Sequence, residues 1–349
     1  MKIVVLAGGL SPERNVSLST GCMVAEALKG LGHQVAFVDM FFGVEGSGAL
    51  EALFDGRVPE EARRVSREAP DLEKIRASRP DGGRNLFGPR VLELCAMADL
   101  VFIALHGTCG EDGRVQAAFD LMGIPYTGAG YLGSAIAMDK DLTKRLVAGK
   151  VNTPSWRLAE YTQADVELLV ADCPLPCVVK PVASGSSIGV SIAHTEGELR
   201  QALAESLKTG GRVVLEEYVK GREVQVGILD GAALPSIEII PKQGFYDYAN
   251  KYQPDGAVEV CPAPIPPEVE EELRRAAVRV YETLGLSVYS RADFILDEEG
   301  RIWFLEINTL PGMTPTSLLP QEASAVGIGY AQLCEKIVEA SLEARKQGK

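Results

Sequence analysis

Arg291-Ala-Asp-Phe-Ile-Leu-Asp-Glu-Glu-Gly-Arg-Ile-Trp-Phe-Leu-Glu-Ile-Asn-Thr-Leu-Pro-Gly-Met-Thr-Pro-Thr-Ser317 reads as two strands joined by a tight turn, with Asp297 to Gly300 as the turn residues. A symmetric hairpin with Asp297 opposite Gly300 sets Asp293 against Phe304 and Arg291 against Glu306. Side chains alternate faces along a strand. One face then collects Arg291, Asp293, Glu306 and Asn308. The other collects Ala292, Phe294, Leu296, Trp303, Leu305 and Ile307, which is a core face.

Two carboxylates and an amide oxygen form a hard-oxygen set suited to Mg²⁺, which takes few protein ligands and adds phosphate oxygens. The neighbouring guanidinium suits an anion or a developing oxyanion. The plain alternative is a surface hairpin with solvated charges. Such a hairpin would scatter Lys and Thr among its outward positions. Here polar and apolar residues separate by side, so the metal–phosphate reading is preferred.

The chain has 349 residues, 46% hydrophobic and 24% charged, which is globular material for two or three domains. Its net charge of −13 argues against a nucleic-acid or anionic-membrane surface. No apolar run approaches a membrane span, and Met1-Lys2 leads directly into a strand without a signal-peptide pattern. Seven scattered cysteines point to a reduced, cytoplasmic protein without a disulfide framework.

Lys2 to Ala7 is a buried parallel strand opening into Gly8-Gly9. Ser11-Pro12 reads as N-cap and first residue of a helix towards Gly30, and Gln34 to Val38 as the next strand. This begins a doubly wound sheet, and no GxGxxG dinucleotide fingerprint is present. Ligands bind at the carboxyl ends of such strands, which singles out Glu13 and Ser17; the alternative for both is first-turn capping. Residues 41 to 98 carry no recognisable chemistry. Asp99 to Leu105 is a second buried strand, entering the Gly-rich loop His106-Gly-Thr-Cys-Gly-Glu-Asp-Gly113. His106 alone reads as well as a structural hydrogen-bonder. Cys109 lacks a base and is a poor candidate nucleophile.

Cys177 to Lys180 is a short strand feeding the small-residue loop Ala183-Ser-Gly-Ser-Ser-Ile-Gly189, whose N–H groups can close over phosphates. The lysine precedes the loop, so this is no Walker motif. Thr195 with Glu198 forms a capping box. Strands follow at Val213 to Tyr218, Arg222 to Leu229 and Ala232 to Ile240. A loop from 241 to 267, rich in aromatics, reads as a lid. Pro267 to Gly285 is an amphipathic helix, and a final helix spans about Gln321 to Ala344.

In order along nearly the whole chain, these motifs resemble the D-alanine–D-alanine ligase family of the ATP-grasp superfamily. The matching stretches are Ala7-Gly-Gly-Leu-Ser-Pro-Glu-Arg-Asn-Val-Ser-Leu18, the His106 to Gly113 loop, Met138-Asp-Lys140, Lys180-Pro with Gly185-Ser-Ser-Ile-Gly189, Phe245-Tyr-Asp-Tyr248 with Lys251-Tyr252, Arg291-Ala-Asp293, and Glu306-Ile-Asn308 through Ser317-Leu318. The resemblance implies an α/β (α+β) fold of three domains: residues 1–128, with a doubly wound parallel sheet, then 129–217 and 218–345, whose antiparallel sheets sandwich ATP. It implies ligation of two D-alanine molecules through a D-alanyl phosphate, for peptidoglycan synthesis.

By position, the resemblance makes Asp293, Glu306 and Asn308 ligands of two Mg²⁺ ions, with Mn²⁺ as an alternative. Lys140, Lys180 and Lys251 would neutralise phosphates. Glu216, Val219 and Glu223 would meet the adenine edge and the ribose. Arg291 and the Gly312 N–H would stabilise the tetrahedral oxyanion. Glu13 would hold the first ammonium beside His106, while Ser317 and Leu318 would receive the second carboxylate. Tyr252 on the lid would join Glu13 and Ser186 in a closing triad. A tyrosine at that position goes with an amine nucleophile rather than D-lactate. D-serine remains a competing second substrate, because one added hydroxyl is only modestly rejected by an apolar pocket. A nucleotide-binding regulator without turnover is the other alternative; Arg291, Asp293 and Lys180 speak against it. Relatives imply a homodimer.

Overall fold

The computed structural model describes residues 1–59, 70–185, 189–242 and 256–347. Strand β1 (Lys2–Ala7) runs parallel to β2 (Gln34–Asp39) on one side and β3 (Leu100–Ile103) on the other. Ile3 to Ala7 are all buried, as a parallel strand covered on both faces requires. Helix α1 (Arg14–Gly30) links β1 to β2. It starts later than Ser11-Pro12 implied: the Arg14 N–H donates to the Ser11 carbonyl at 3.0 Å, and Glu13 takes the N-cap without a side-chain cap bond. Helices α2 (Leu72–Ala77) and α3 (Val91–Ala96) precede β3. After it come α4 (Arg114–Met122), α5 (Tyr131–Met138) and α6 (Lys140–Val147).

A second, antiparallel sheet has the order β4 (Trp156–Glu160), β7 (Arg212–Glu217), β5 (Cys177–Pro181), β6 (Ser191–Ala193). Helices α7 (Val166–Asp172) and α8 (Glu196–Leu207) bury Val166, Val170, Leu199 and Leu203 against it. The Thr195–Glu198 capping box opens α8 as the sequence implies.

The third sheet is formed by β8 (Gly221–Leu229), β9 (Ala232–Ala233), β10 (Ile237–Pro241), β11 (Ala257–Val260), β12 (Tyr289–Asp297) and β13 (Ile302–Asn308). Its order is β11-β10-β8-β12-β13, with β9 on β8. The expected loop from 241 to 267 is thus partly strand at its ends, because β11 pairs back onto β10. Helix α9 (Pro267–Thr283) packs Leu273, Ala277 and Val280 on Val226, Ala292, Phe294 and Phe304. That covers one face of the sheet; on the other, Gly227 lies against Leu319 and Glu322.

The hairpin β12–β13 corrects the symmetric register. Arg291 pairs with Asn308 and Asp293 with Glu306, whereas Phe294 pairs with Phe304. Leu305 is the extra residue of a β-bulge, which shifts register and re-aims side chains. Phe304 is therefore in the core, while Trp303 and Leu305, expected there, are half-buried on the opposite side.

The single final helix is instead two: α10 (Leu318–Ala325) and α11 (Tyr330–Lys346). Gly327 at φ +80° breaks them apart. Helix α11 returns to the first sheet, where Leu333, Ile337 and Val338 join the core of β1 and β3. The Arg345 guanidinium stacks 3.9 Å from the Tyr126 ring centroid. Among the described residues no helix is long and apolar enough to cross a membrane.

Gly21 lets α1 approach β1 closely: a Cβ there would lie 2.6 Å from the Ala7 Cβ and 3.0 Å from the Phe37 ring. The Ala7 Cβ is fixed to the strand and cannot swing aside. Gly21→Ala should therefore destabilise the fold by about 1–3 kcal/mol through overpacking. A denaturant midpoint equal to wild type would contradict this packing.

Candidate active site

The bulged hairpin gathers its polar side chains. Arg291 donates through Nε to Asp293 Oδ1 at 2.9 Å and through Nη2 to Oδ2 at 3.1 Å. Asn308 Nδ2 reaches Asp293 Oδ2 at 3.3 Å. Lys140, the first residue of α6, sets its Nζ 3.0 Å from Glu306 Oε2 and donates to the Ser184 carbonyl at 2.7 Å. Asp293 and Glu306 thus each have a cation beside them, and Lys140 also holds the Ser184 carbonyl.

The first sheet contributes Glu13 and the His106 loop. A Cβ on Gly185 would lie 2.8 Å from Glu13 Oε2, and one on Gly107 3.0 Å from it. Both glycines make room for that carboxylate, and Gly107 also needs its φ of +67°. The Glu13 side chain makes no cap bond, so the capping alternative does not hold for it. The His106 Nδ1 is 3.0 Å from the Leu310 carbonyl, which makes it the donor there. Burial holds the imidazole below its usual range against the pull of Glu13. Ser17 is committed to the backbone: its Oγ accepts from Gly8 N–H at 2.8 Å and donates to the Ala104 carbonyl at 2.6 Å. Cys109 donates its thiol to the Leu10 carbonyl at 3.1 Å, and burial raises its pKa.

Glu111 is a residue that sequence reasoning passed over. Its Oε2 accepts from Gly107 N–H at 2.8 Å and its Oε1 from Leu310 N–H at 3.4 Å. It therefore ties the His106 loop to the segment after β13. Its neighbour Asp112 is just as acidic in the sequence, so nothing there tells which of the two turns inward.

Between the second and third sheets lies a cavity of about 480 Å³ lined by Lys180, Glu216, Val219, Glu223, Ile295 and Leu305 among others. An apolar slot with a few polar groups at its rim suits a flat heteroaromatic ring. Lys180 ion-pairs with Glu216. A larger cavity of about 670 Å³ lies against the core face of the hairpin, by Lys150, Trp156 and Arg279. It contains none of the expected site residues, and Lys150 and Arg279 are bonded to Thr283 and to the Lys150 carbonyl.

Ser317 is the N-cap of α10, and its Oγ lies 2.8 Å from Thr314 Oγ1. A Cβ on Gly312 would come within 2.8 Å of that Oγ, so the Gly312 backbone sits directly beside Ser317. Leu318 is buried against Ile237 and Ile239. Ser186, Lys251 and Tyr252 lie outside the described residues.

Burial, and after it the charge of Glu13, push Glu111 up to about 8 from an ordinary 4.5. The folded chain then holds a proton that the unfolded chain releases from 4.5 upwards. This contribution to stability is present below pH 4.5 and is lost as pH rises through about 8. Glu111→Gln removes the titration, so its denaturation midpoint should fall less steeply than wild type between pH 4.5 and about 8. Equal slopes would rule out a protonated Glu111.

A family model described as D-ala D-ala ligase N-terminus matches residues 2–129, and one described as D-ala D-ala ligase C-terminus matches residues 151–339. The D-alanine–D-alanine ligase of Pediococcus pentosaceus is 42% identical over 349 residues, covering 97% of each chain. That of Gloeobacter violaceus is 39% identical, covering 98% of this chain and 100% of its own. Among solved structures, D-alanine–D-alanine ligase from Bacillus anthracis complexed with ATP matches with a TM-score of 0.75 at 30% identity over 100% of both chains. VanG D-Ala:D-Ser ligase from Enterococcus faecalis matches at 0.74 and 28% identity, covering 97% of this chain and 99% of its own. With both halves matched in order and relatives aligned end to end, the chain belongs to the D-alanine–D-alanine ligase family.

Proposed function

We infer that this chain joins two D-alanine molecules into D-alanyl-D-alanine at the expense of ATP, for peptidoglycan synthesis. The observation that carries the reading is the convergence of Arg291, Asp293, Glu306, Asn308 and Lys140, with Lys140 also bonded to Ser184 of the small-residue loop. Glu13 reaches the same loop from the first sheet, at Gly185.

A carboxylate is a poor acylating agent, and phosphorylation gives it a leaving group. In the first step a carboxylate oxygen of D-alanine attacks the γ-phosphorus of ATP. The bond to the bridging oxygen breaks, ADP leaves, and D-alanyl phosphate forms. In the second step the free amine of another D-alanine attacks the acyl carbon. The nitrogen sheds its proton, the tetrahedral intermediate collapses, and phosphate departs with the former carboxylate oxygen. Glu13 holds the first ammonium, with His106 beside it as a neutral orienting group. Lys140, Lys180 and Lys251 offset the phosphate charge. Adenine and ribose occupy the slot at Glu216, Val219 and Glu223. Arg291 and the Gly312 N–H meet the oxyanion, and Ser317 with Leu318 receives the second carboxylate. Closure of the 241–267 lid, with Tyr252 joining Glu13 and Ser186, keeps water from the acyl phosphate.

The oxygens of Asp293, Glu306 and Asn308 fit Mg²⁺, with Mn²⁺ as an alternative. When bound, two such ions would polarise the phosphate oxygens and neutralise charge. The reading includes the division at 128 and 217, a homodimer and a cytoplasmic location. Seven free cysteines suit a reducing compartment.

Phosphate release with ATP and Mg²⁺ should proceed on D-alanine alone and give the dipeptide by mass, with none from L-alanine. Turnover only when D-serine is added would reassign the second substrate. No turnover on any of these would refute the reading. Arg291→Ala should lower kcat by about 10²–10³-fold while ATP binding persists, the scale of a lost oxyanion donor. Survival of activity within about tenfold would remove Arg291 from that role.

A further inference from the structure

Helix α6 carries two lysines four residues apart, Lys140 and Lys144, and such residues share a helix face. They reach carboxylates on two different sheets. Lys140 meets Glu306 on β13, at the phosphate end. Lys144 meets Glu216 on β7, at the slot assigned to adenine. Lys144 is 0% exposed, a rare state for a lysine without a dedicated partner. Its Nζ also donates to Thr153 Oγ1, which in turn donates to the Phe304 carbonyl of β13 at 3.0 Å. The Trp156 ring centroid lies 5.5 Å from the same Nζ.

Glu216 therefore has two cations, Lys144 on Oε1 and Lys180 on Oε2. Burial pushes its carboxyl up, and Lys180 and Lys144 overcome that and hold it below the usual range. Burial pushes Lys144 down to about 8 against the pull of Glu216, with Lys180 acting in the same direction as burial and Glu306 against it. It stays mostly protonated at neutral pH. As long as Glu216 draws Lys180, less of that ammonium's charge is available to an ATP phosphate. A buried carboxylate left without a counter-ion is strongly disfavoured.

We propose that Lys144 is the resident counter-ion of Glu216, a positioning residue that frees Lys180 to leave the carboxylate for ATP. The inference rests on the reading of Lys180 and Glu216 as ATP-site residues. By keeping Glu216 compensated throughout, Lys144 makes the transfer of Lys180 a local exchange of partners.

Three variants of the full chain separate the possibilities. Lys144→Met should raise KM for ATP by about tenfold or more and leave KM for D-alanine within about twofold, because Lys180 is then held by Glu216. Adding Glu216→Gln removes the trapping charge and should bring KM for ATP back to that of Glu216→Gln alone. A merely structural role would depress stability and every kinetic constant together, with no relief from the second change. Lys180→Met is the control for the underlying reading. If it binds an ATP analogue like wild type by calorimetry, the ATP-site assignment fails. If it loses binding while Lys144→Met keeps it, the assignment stands and the inference fails. Should Lys144→Met not fold, a crystal structure of wild type with a non-hydrolysable ATP analogue decides. Lys144 Nζ should remain on Glu216 with Lys180 Nζ moved off it; the reverse arrangement overturns the proposal.

Discussion

One extra residue in a strand sets the geometry on which the site depends. The bulge at Leu305 brings Glu306 opposite Asp293 and Asn308 opposite Arg291, while keeping Phe294 and Phe304 paired in the core. From the Phe294–Phe304 pair a regular ladder would put Leu305 across from Asp293 and leave the carboxylates out of step. Bulges recur beside functional sites because they re-aim side chains without loss of the sheet. Here the core side of the hairpin is anchored by α9, so the bulge is held in place by burial of Phe294 and Phe304.

Once the carboxylates are aligned, charge balance governs the rest. Asp293 is matched by Arg291, Glu306 by Lys140, and Glu216 by Lys144 and Lys180. Buried pairs of this kind contribute little net stability, because desolvation offsets the attraction. Their value is positional: each carboxylate has one low-energy place. Helix α6 supplies two of these cations and spans the gap between the sheets. The first sheet is joined to the same assembly through α11, whose Leu333 and Ile337 complete its core. Val288, Tyr289 and Leu310, at the ends of the hairpin strands, lie in that same core.

Much of this was legible in the residues. The apolar run before Gly8-Gly9, the Thr195–Glu198 box and the polar face of Arg291, Asp293, Glu306 and Asn308 follow from periodicity and turn chemistry. The register did not, because a bulge leaves no mark when Phe304, Leu305 and Trp303 are all apolar. The split between α10 and α11 was marked by Gly327, whose φ of +80° ends the first of them, and a helical pattern continuing past it masked the break. Glu111 and Lys144 were invisible for a different reason. Burial of a charged side chain is decided by what folds over it from distant parts of the chain, and a carboxylate or ammonium on a loop or helix reads as solvated until then. Ser17, near the carboxyl end of β1, spends its hydroxyl on Gly8 and Ala104, which its position in the sequence did not show.

At this site the substrate carboxylate itself attacks ATP. D-alanine labelled with ¹⁸O in its carboxylate, turned over with unlabelled ATP, tests it by mass spectrometry of the released phosphate. Attack by the carboxylate oxygen predicts one labelled oxygen in each phosphate formed alongside dipeptide. Phosphate carrying no label, with dipeptide still accumulating, would contradict an acyl phosphate and with it the roles assigned to the hairpin.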